Sequence, residues 1–230
     1  MSKGKLIVIE GVDGSGKETQ SRLLHQYLLR EKTPVLHLSY PRYEKESSAL
    51  VKMYLRGDFG SDPDAISPYV SSTFFAADRY ASYKTEYEAF YMDGGWVLAD
   101  RFTTSNMIHQ GGKIADLKER KEFLDWLVDY EYRLYEIPRP DVVFFLDLPP
   151  EISLERIRER SNKITKEKEK DIHESNRQHL FHAYEAACRI AGEQGWHRID
   201  CMDGNRQRSV EEIHGEIVHH IKKLGGQDRV

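Results

Sequence analysis

The sequence is poor in cysteine. Its 230 residues include only two, Cys188 and Cys201, and neither stands in a CxxC or Cys/His spacing. Disulfide-rich scaffolds and structural zinc sites need such spacings, so the sequence argues against both classes. We expect the two thiols to be buried and reduced.

An excess of positive charge and a long apolar run are also missing. The 34 basic and 38 acidic residues give a formal net charge of -4, which provides no cationic field for a polynucleotide backbone. Any link to nucleic acid should therefore be to monomers. The first apolar run, Leu6 to Ile9, is too short for a signal-peptide core, and no stretch approaches the roughly 20 apolar residues that span a bilayer. We expect a soluble, cytoplasmic protein without a membrane partner.

Compact apolar runs alternate with helical patterns along the chain. Runs that are apolar throughout suit strands buried on both faces, which favours an α/β fold with a parallel sheet covered by helices. The predicted strands are Lys5–Glu10, Val35–Leu38, Trp96–Ala99, Val142–Leu146 and, more weakly, His197–Ile199. The predicted helices are Lys17–Arg30, Pro68–Tyr91, Leu117–Tyr135 and Glu211–Leu224. The length fits one domain over residues 1–230.

A glycine-rich loop follows the first predicted strand and opens the first predicted helix. Its spacing, Gly11-x4-Gly16-Lys17, is that of the P-loop. The backbone N–H groups of such a loop and the positive end of the helix dipole converge on one point, where a polyphosphate fits. The lysine neutralises the β- and γ-phosphates of a nucleoside triphosphate. The predicted binding residues are Gly11, Val12, Asp13, Gly14, Ser15, Gly16, Lys17, Glu18 and Thr19.

One position departs from the P-loop pattern. After the lysine the pattern has Ser or Thr to hold Mg²⁺, whereas this sequence has Glu18, followed by Thr19. Either Glu18 points outward, and Thr19 or nearby carboxylates organise the metal, or Glu18 itself belongs to the metal shell. We favour the first interpretation, because the helix dipole stabilises a glutamate in the first turn.

A guanine-nucleotide switch is the main alternative from a different class of protein. It would need an Asn-Lys-x-Asp motif that reads the base. The nearest match, Asn162-Lys163-Ile164-Thr165, lacks the aspartate and lies in a charged segment rather than after a strand. The sequence therefore disfavours a switch protein.

Further motifs occur in a fixed order along the chain. They are Glu10 to Gln20 (EGVDGSGKETQ), Tyr40 to Tyr43 (YPRY), Phe74 to Arg79 (FFAADR) and Asp100 to Asn106 (DRFTTSN). In this order they resemble the thymidylate kinase family over almost the whole chain. The resemblance implies a three-layer P-loop kinase fold with a five-stranded parallel sheet and a mobile basic lid. It also implies the reaction of ATP with dTMP to give ADP and dTDP for dTTP synthesis, with Mg²⁺ as cofactor and a homodimer as the assembly.

The same resemblance assigns an acceptor site. It implies that Phe75 stacks on the thymine ring, that Arg79 donates to its carbonyl edge and that Arg42 grips the acceptor phosphate. An aromatic face, a fixed donor and a guanidinium fork suit these roles chemically. Taken singly, Phe75 could instead be a core aromatic and Arg79 a member of a surface ion pair. The remaining implied acceptor residues are Asp13, Tyr40, Pro41, Tyr43, Arg101, Ser105, Asn106 and His109.

The segment after the third predicted strand supplies two charged groups. The resemblance implies that Arg101 bridges the acceptor phosphate and Asp13, and that Asp100, with Asp13, holds Mg²⁺. A purely structural ion pair between Asp100 and Arg101 is the alternative. Ligands bind α/β sheets beyond the carboxyl ends of strands, which favours the functional interpretation. His109 stands where several family members have a tyrosine near the sugar.

A basic segment, about residues 156–171, resembles the family lid. We expect it to be exposed and mobile. Gly14 stands where some members have an arginine, so the charge of the transition state must be met elsewhere, and a lid arginine is the obvious source. We assign Arg160 to the phosphates and Arg156 to packing on adenine. The simpler alternative is a solvated helix end, which we favour for Lys163 to Lys170.

The predicted catalytic residues are Lys17, Arg101 and Arg160. The nearest functional rival is a kinase of the same fold that acts on another acceptor, such as dUMP, a different nucleoside monophosphate or a nucleoside.

Overall fold

A computed structural model describes residues 3–60, 62, 65–163 and 177–226 of the chain. Its centre is a five-stranded sheet in the order β2-β3-β1-β4-β5, and every neighbouring pair is parallel. The strands are β1 Leu6–Glu10, β2 Val35–Ser39, β3 Trp96–Asp100, β4 Val142–Asp147 and β5 His197–Asp200. A short antiparallel hairpin follows, formed by β6 Met202–Asp203 and β7 Arg206–Gln207. The five predicted strands and their parallel arrangement are confirmed.

Helices cover both faces of the sheet. They are α1 Lys17–Arg30, α2 Ala49–Arg56, α3 Pro68–Ser82, α4 Glu88–Met92, α5 Thr103–His109, α6 Leu117–Asp129, α7 Pro150–Lys163, α8 Arg177–Glu193 and α9 Val210–Gly226. Two π-helical turns, Tyr83–Tyr87 and Tyr130–Leu134, follow α3 and α6. Short 3-10 turns occupy Glu46–Ser48 and Gly111–Lys113.

Two apolar layers enclose the sheet. On one face, Ile7 and Ile9 of β1 pack with Leu24 of α1 and Ile217 of α9. On the other face, Val8 packs in a cluster with tyrosines of the α3–α4 region. Because β1 is buried on both faces, its apolar run has no polar alternation. The parallel sheet covered by helices that such runs predict, and the three-layer fold that the family resemblance implies, are both confirmed.

The strand register brings two loops together at the carboxyl edge of the sheet. In the β1–β3 pair, Ile9 lies opposite Asp100. The chain leaves β1 into the glycine-rich loop and leaves β3 into Arg101, whose N–H donates to the Ile9 carbonyl at 3.1 Å. The phosphate loop and the Asp100–Arg101 segment therefore emerge side by side.

The structure corrects several expectations. The helices predicted at Pro68–Tyr91 and Leu117–Tyr135 are each interrupted or ended by a π-helical turn. The basic segment of about residues 156–171 is helical in α7 as far as Lys163, residues 164–176 lie outside the described part of the chain, and the expected mobility stays a prediction. Both cysteines are free as expected, but only Cys201 is fully buried and Cys188 is half-buried.

Two structural features concern the alternatives of a guanine-nucleotide switch and of a membrane protein. Asn162 and Lys163 form the end of helix α7 rather than a loop after a strand, which removes the positional basis for a guanine-reading motif. No helix within the described ranges is long and apolar enough to cross a bilayer.

Candidate active site

The loop between β1 and α1 depends on glycines in left-handed backbone conformations. Gly14 and Gly16 have φ angles of 79° and 99°. A Cβ at Gly14 would lie 2.8 Å from the carbonyl oxygen of Ser153, so this turn packs directly on α7. Helix α1 begins at Lys17 without a side-chain cap, which leaves its first N–H groups available to an anion.

Lys17 lies across this loop. Its Nζ donates to the carbonyl oxygen of Val12 at 2.8 Å and lies 3.9 Å from Oδ1 of Asp13. The side chain is buried, and burial together with the charge of Arg101 lowers the pKa of Lys17 to about 8. A phosphate bound to the loop would favour the charged form of this lysine.

An ion pair between Asp13 and Arg101 joins the loop to the segment after β3. Burial disfavours the charge on Asp13, but Arg101 and Lys17 outweigh it and hold the pKa of Asp13 well below its usual value. Arg101 has a φ of 67°, a conformation that costs energy in a residue with a side chain. Its Nη1 lies 3.3 Å from Nε2 of His109. The guanidinium therefore reaches from the phosphate loop toward the acceptor side.

Asp100 ends β3 with a buried carboxylate. Its Oδ1 has no hydrogen-bond partner, and Arg101 pairs with Asp13 rather than with Asp100. Burial raises the pKa of Asp100, although Lys17 and Arg101 act in the opposite direction. A buried carboxylate oxygen without a donor fits a hard cation such as Mg²⁺, which takes one or two carboxylates and completes its shell with phosphates and water. The described residues contain no group of three or more His, Cys, Asp or Glu side chains that could hold a metal ion.

Glu10, to which the sequence analysis gave no role, braces both loops. It is fully buried at the end of β1. Its Oε1 accepts from the N–H of Gly11 at 2.9 Å, and its Oε2 accepts from the hydroxyls of Thr104 at 2.6 Å and Ser105 at 2.8 Å. The sequence does contain a signal for this role, because Glu10 is a charged residue at the end of an otherwise apolar strand.

A cavity of about 140 Å³ opens beside the phosphate loop. Every predicted acceptor residue except Arg42 lines it. The lining consists of Asp13, Tyr40, Pro41, Tyr43, Leu55, Phe75, Arg79, Arg101, Phe102, Ser105, Asn106, His109 and Gln110. Leu55 and Gln110 were not predicted, because they belong to α2 and the end of α5, which carried no recognised motif.

Arg79 lines the cavity through an inward-facing position on α3. Only 2% of the residue is exposed, so the alternative of a surface ion pair is wrong. It is instead held in a buried ion pair, in which Nε and Nη2 donate to the two carboxylate oxygens of Glu131 at 2.7 and 2.5 Å. Glu131 lies in the π-helical turn after α6, and sequence reasoning missed it.

Arg42 does not line the cavity. Its Nη2 donates to Glu86 at 2.6 Å, and its backbone N–H donates to Asp78 at 2.7 Å. Its Nε is buried without a hydrogen-bond partner. The residues on either side, Pro41 and Tyr43, do line the cavity, so Arg42 stands at its rim.

Several cavity residues have fixed orientations. Nδ2 of Asn106 donates to the carbonyl oxygen of Ser72 at 3.2 Å, which leaves its own carbonyl oxygen as an acceptor. The hydroxyl of Tyr40 donates to Ser82 at 2.9 Å. The ring of Phe75 meets that of Tyr54 edge to face, with centroids 6.0 Å apart. A flat ring entering the cavity would meet an aromatic wall and a polar edge.

The remaining predicted donor-site residues lie around the loop. Glu18 is exposed, as the favoured interpretation expects, and Thr19 is half-buried. Arg156 is half-buried against the phosphate loop, where its Nη1 lies 3.4 Å from the Gly14 carbonyl oxygen and its Nη2 donates to Gln207 at 2.8 Å. It is therefore less exposed than expected. Arg160 lies on α7, and its side chain falls outside the described part of the structure.

Comparison with known proteins agrees with this geometry. Residues 9–202 match the sequence profile of the family Thymidylate kinase. A thymidylate kinase from Plasmodium falciparum is 30% identical over 225 residues, which cover 96% of this chain and 91% of that protein. A probable thymidylate kinase from Pyrococcus horikoshii is 30% identical over 220 residues, covering 96% and 97%. The solved thymidylate kinase from Candida albicans superposes with a TM-score of 0.70 at 18% identity, over 98% of this chain and 94% of that one. The likeness to that structure confirms the predicted fold.

Proposed function

This chain belongs to the thymidylate kinase family, and we propose that it transfers the terminal phosphoryl group of ATP to dTMP at the carboxyl edge of its sheet. The products are ADP and dTDP. The observation that carries the proposal is the Asp13–Arg101 pair, which joins a phosphate loop to a cavity suited to a flat base. Donor and acceptor phosphates meet where these two residues meet.

The donor side is built on the phosphate loop. The N–H groups at the start of α1 and the ammonium of Lys17 bind the phosphates of ATP. Arg156, which already lies against Gly14, is placed to cover the donor from the lid side. We assign the charge on the transferring oxygens to Arg160, because Gly14 offers no side chain for it.

The acceptor side is built on the cavity. Phe75 stacks on the thymine ring, Arg79 donates to a ring carbonyl, and the carbonyl oxygen of Asn106 accepts from the ring N–H. Arg101 binds the acceptor phosphate, with Arg42 at the rim offering the Nε that has no partner in the free protein. His109 contacts Arg101 and lies at the position assigned to the sugar.

Asp100 and Asp13 would hold Mg²⁺. When bound, the ion neutralises charge on the phosphates of the donor. The unpaired Oδ1 of Asp100 supports this assignment. Glu18 stays outside the metal shell.

The reaction needs no general base, because the attacking group is already a phosphate oxygen. The protein holds two phosphates in line, excludes water and supplies positive charge. A homodimer in the cytoplasm is proposed by analogy with the family, and light scattering of the purified protein tests the assembly.

A kinase of the same fold with another acceptor is the second candidate. A coupled assay of ADP release across dTMP, dUMP, dCMP, dGMP and thymidine separates the two. We expect the highest kcat/KM with dTMP. Turnover confined to a different acceptor would refute the assignment.

A further inference from the structure

The buried ion pair between Arg79 and Glu131 fixes how Arg79 can meet a ligand. The two side chains are 2% and 0% exposed. Both carboxylate oxygens are used, each by a different nitrogen of the guanidinium. This fork-to-fork geometry fixes the plane and the rotation of the guanidinium. Nη1 is the guanidinium nitrogen that does not donate to Glu131. It makes one long hydrogen bond, of 3.5 Å, to the carbonyl oxygen of Phe102, which lines the cavity together with Arg79.

Glu131 is itself held in place. Its Oε2 accepts a second hydrogen bond, from the hydroxyl of Thr103 at 2.8 Å. The carboxylate therefore receives three hydrogen bonds without access to water. Thr103 begins α5, the helix that also carries Asn106. The same buried network therefore orients both Arg79, the hydrogen-bond donor at the edge of the cavity, and Asn106, the acceptor.

The position of Glu131 on its helix argues against a purely stabilising role. Phe123, Leu127 and Glu131 are spaced four residues apart, and the first two are core residues. Apolar side chains at both positions 79 and 131 would continue the buried face of α6 at less cost, because a buried ion pair loses the hydration of both charges. A π-helical turn at this point is also typical of functional sites.

We propose that Glu131 is a positioning residue. It holds the guanidinium of Arg79, which can only donate hydrogen bonds, in one orientation toward the base, so that the cavity selects pyrimidines with a keto group at that edge. Thymine and uracil carry an oxygen that accepts from Nη1. Cytosine carries an amino group, which would face a donor that cannot turn away. The inference rests on the proposed function, because it requires the acceptor base to meet Arg79.

Equilibrium binding of dTMP, dUMP and dCMP to the ATP-free protein tests this directly. In Glu131→Gln the amide NH₂ faces at least one guanidinium N–H. Two donors cannot bond to each other, so one of the two hydrogen bonds to Arg79 is lost and the guanidinium can change its orientation. We expect the preference for dTMP over dCMP to fall by about tenfold or more, since a site with fixed polar groups discriminates more strongly than an adaptable one. The preference for dTMP over dUMP should stay within about twofold, because both bases present the same oxygen.

Steady-state kinetics with ATP supply a second readout. The KM for dTMP should rise by about tenfold while kcat changes by only a few-fold, because Arg79 contacts the base and not the transferring group. A general loss of structure would instead weaken the binding of all three nucleotides by the same factor. Equal changes for the three nucleotides, or no change in the dTMP to dCMP preference, would overturn the proposal.

Two further variants keep the test decisive. Asp129→Asn is the matched control, because it breaks an exposed carboxylate–Arg133 pair close to Glu131 and should change neither preference. If Glu131→Gln does not fold, Thr103→Val removes one hydrogen bond from the same carboxylate. It should lower the dTMP to dCMP preference by about twofold to tenfold, and an unchanged preference would then overturn the proposal.

These outcomes separate the inference from the proposed function. If the wild-type protein neither binds nor phosphorylates dTMP, the proposed function fails. If the wild-type protein does both and Glu131→Gln keeps its base preference, only the role of Glu131 fails.

Discussion

Replacement of Arg101 by alanine removes the side chain that joins the two halves of the site. Its guanidinium pairs with Asp13 and lies 3.3 Å from Nε2 of His109. Without it, an acceptor phosphate would lie beside the unpaired carboxylate of Asp13, and Lys17 and Arg42 would have to supply the positive charge. One positioned donor contributes about 10²–10³-fold to the rate. We expect kcat/KM for dTMP to fall by about 10³-fold, or ~4 kcal/mol.

Coupled ADP release at saturating ATP measures this loss, and thermal melting checks that the variant folds. Arg101→Lys keeps the charge but not the fork, so its activity should lie between those of the wild type and the alanine variant. Arg133→Ala removes an exposed arginine from the surface and should leave turnover unchanged. A folded Arg101→Ala protein within about threefold of wild-type turnover would refute the reasoning.

The other predictions concern the phosphate loop. Burial lowers the pKa of Lys17 from 10.5 to about 8, so ATP binding near pH 8 should take up protons. Calorimetry in two buffers of different ionisation enthalpy measures this uptake, and equal heats would contradict it. In the free protein the folded state binds fewer protons than the unfolded state between those two pKa values, so the contribution of Lys17 to stability should increase as pH rises through that window. Gly14→Ala places a Cβ 2.8 Å from the Ser153 carbonyl oxygen in a left-handed turn, and we expect a loss of ~1–3 kcal/mol in thermal or denaturant unfolding. The control Gly192→Ala has open space around it within α8 and should be neutral or stabilising by ~1 kcal/mol; equal losses in both would exclude the steric explanation. Glu18→Thr should keep or raise turnover, whereas a collapse of Mg²⁺-dependent activity would place Glu18 in the metal shell.

The parts of the fold that depend on local pattern were predictable. The bounds of α1 agree with prediction at both ends, because the glycine loop fixes its start and the apolar spacing continues to Arg30. Strands that are buried on both faces can be recognised from their apolar runs. The helical segments between them indicate that the strands run parallel. The phosphate loop was predicted from its glycine and lysine spacing together with the strand before it and the helix after it.

Pairs of distant residues were predictable only where a family motif names both partners, as for Asp13 and Arg101. Arg79 and Glu131 stand 52 positions apart, and nothing in either local sequence names the other. Arg42 lies within the expected YPRY motif. In the structure, however, it pairs with Glu86 at the rim of the cavity and is not one of the lining residues. Such partners are chosen by the tertiary fold, because a buried charge takes whichever opposite charge packing brings within reach.

Transfer of label from γ-phosphate-labelled ATP to dTMP tests the central claim most directly. With both nucleotides and Mg²⁺ present, we expect the label to appear in dTDP, and we expect the Arg101→Ala variant to lose this product. Label released as inorganic phosphate regardless of dTMP, or found only on a different acceptor, would contradict the account.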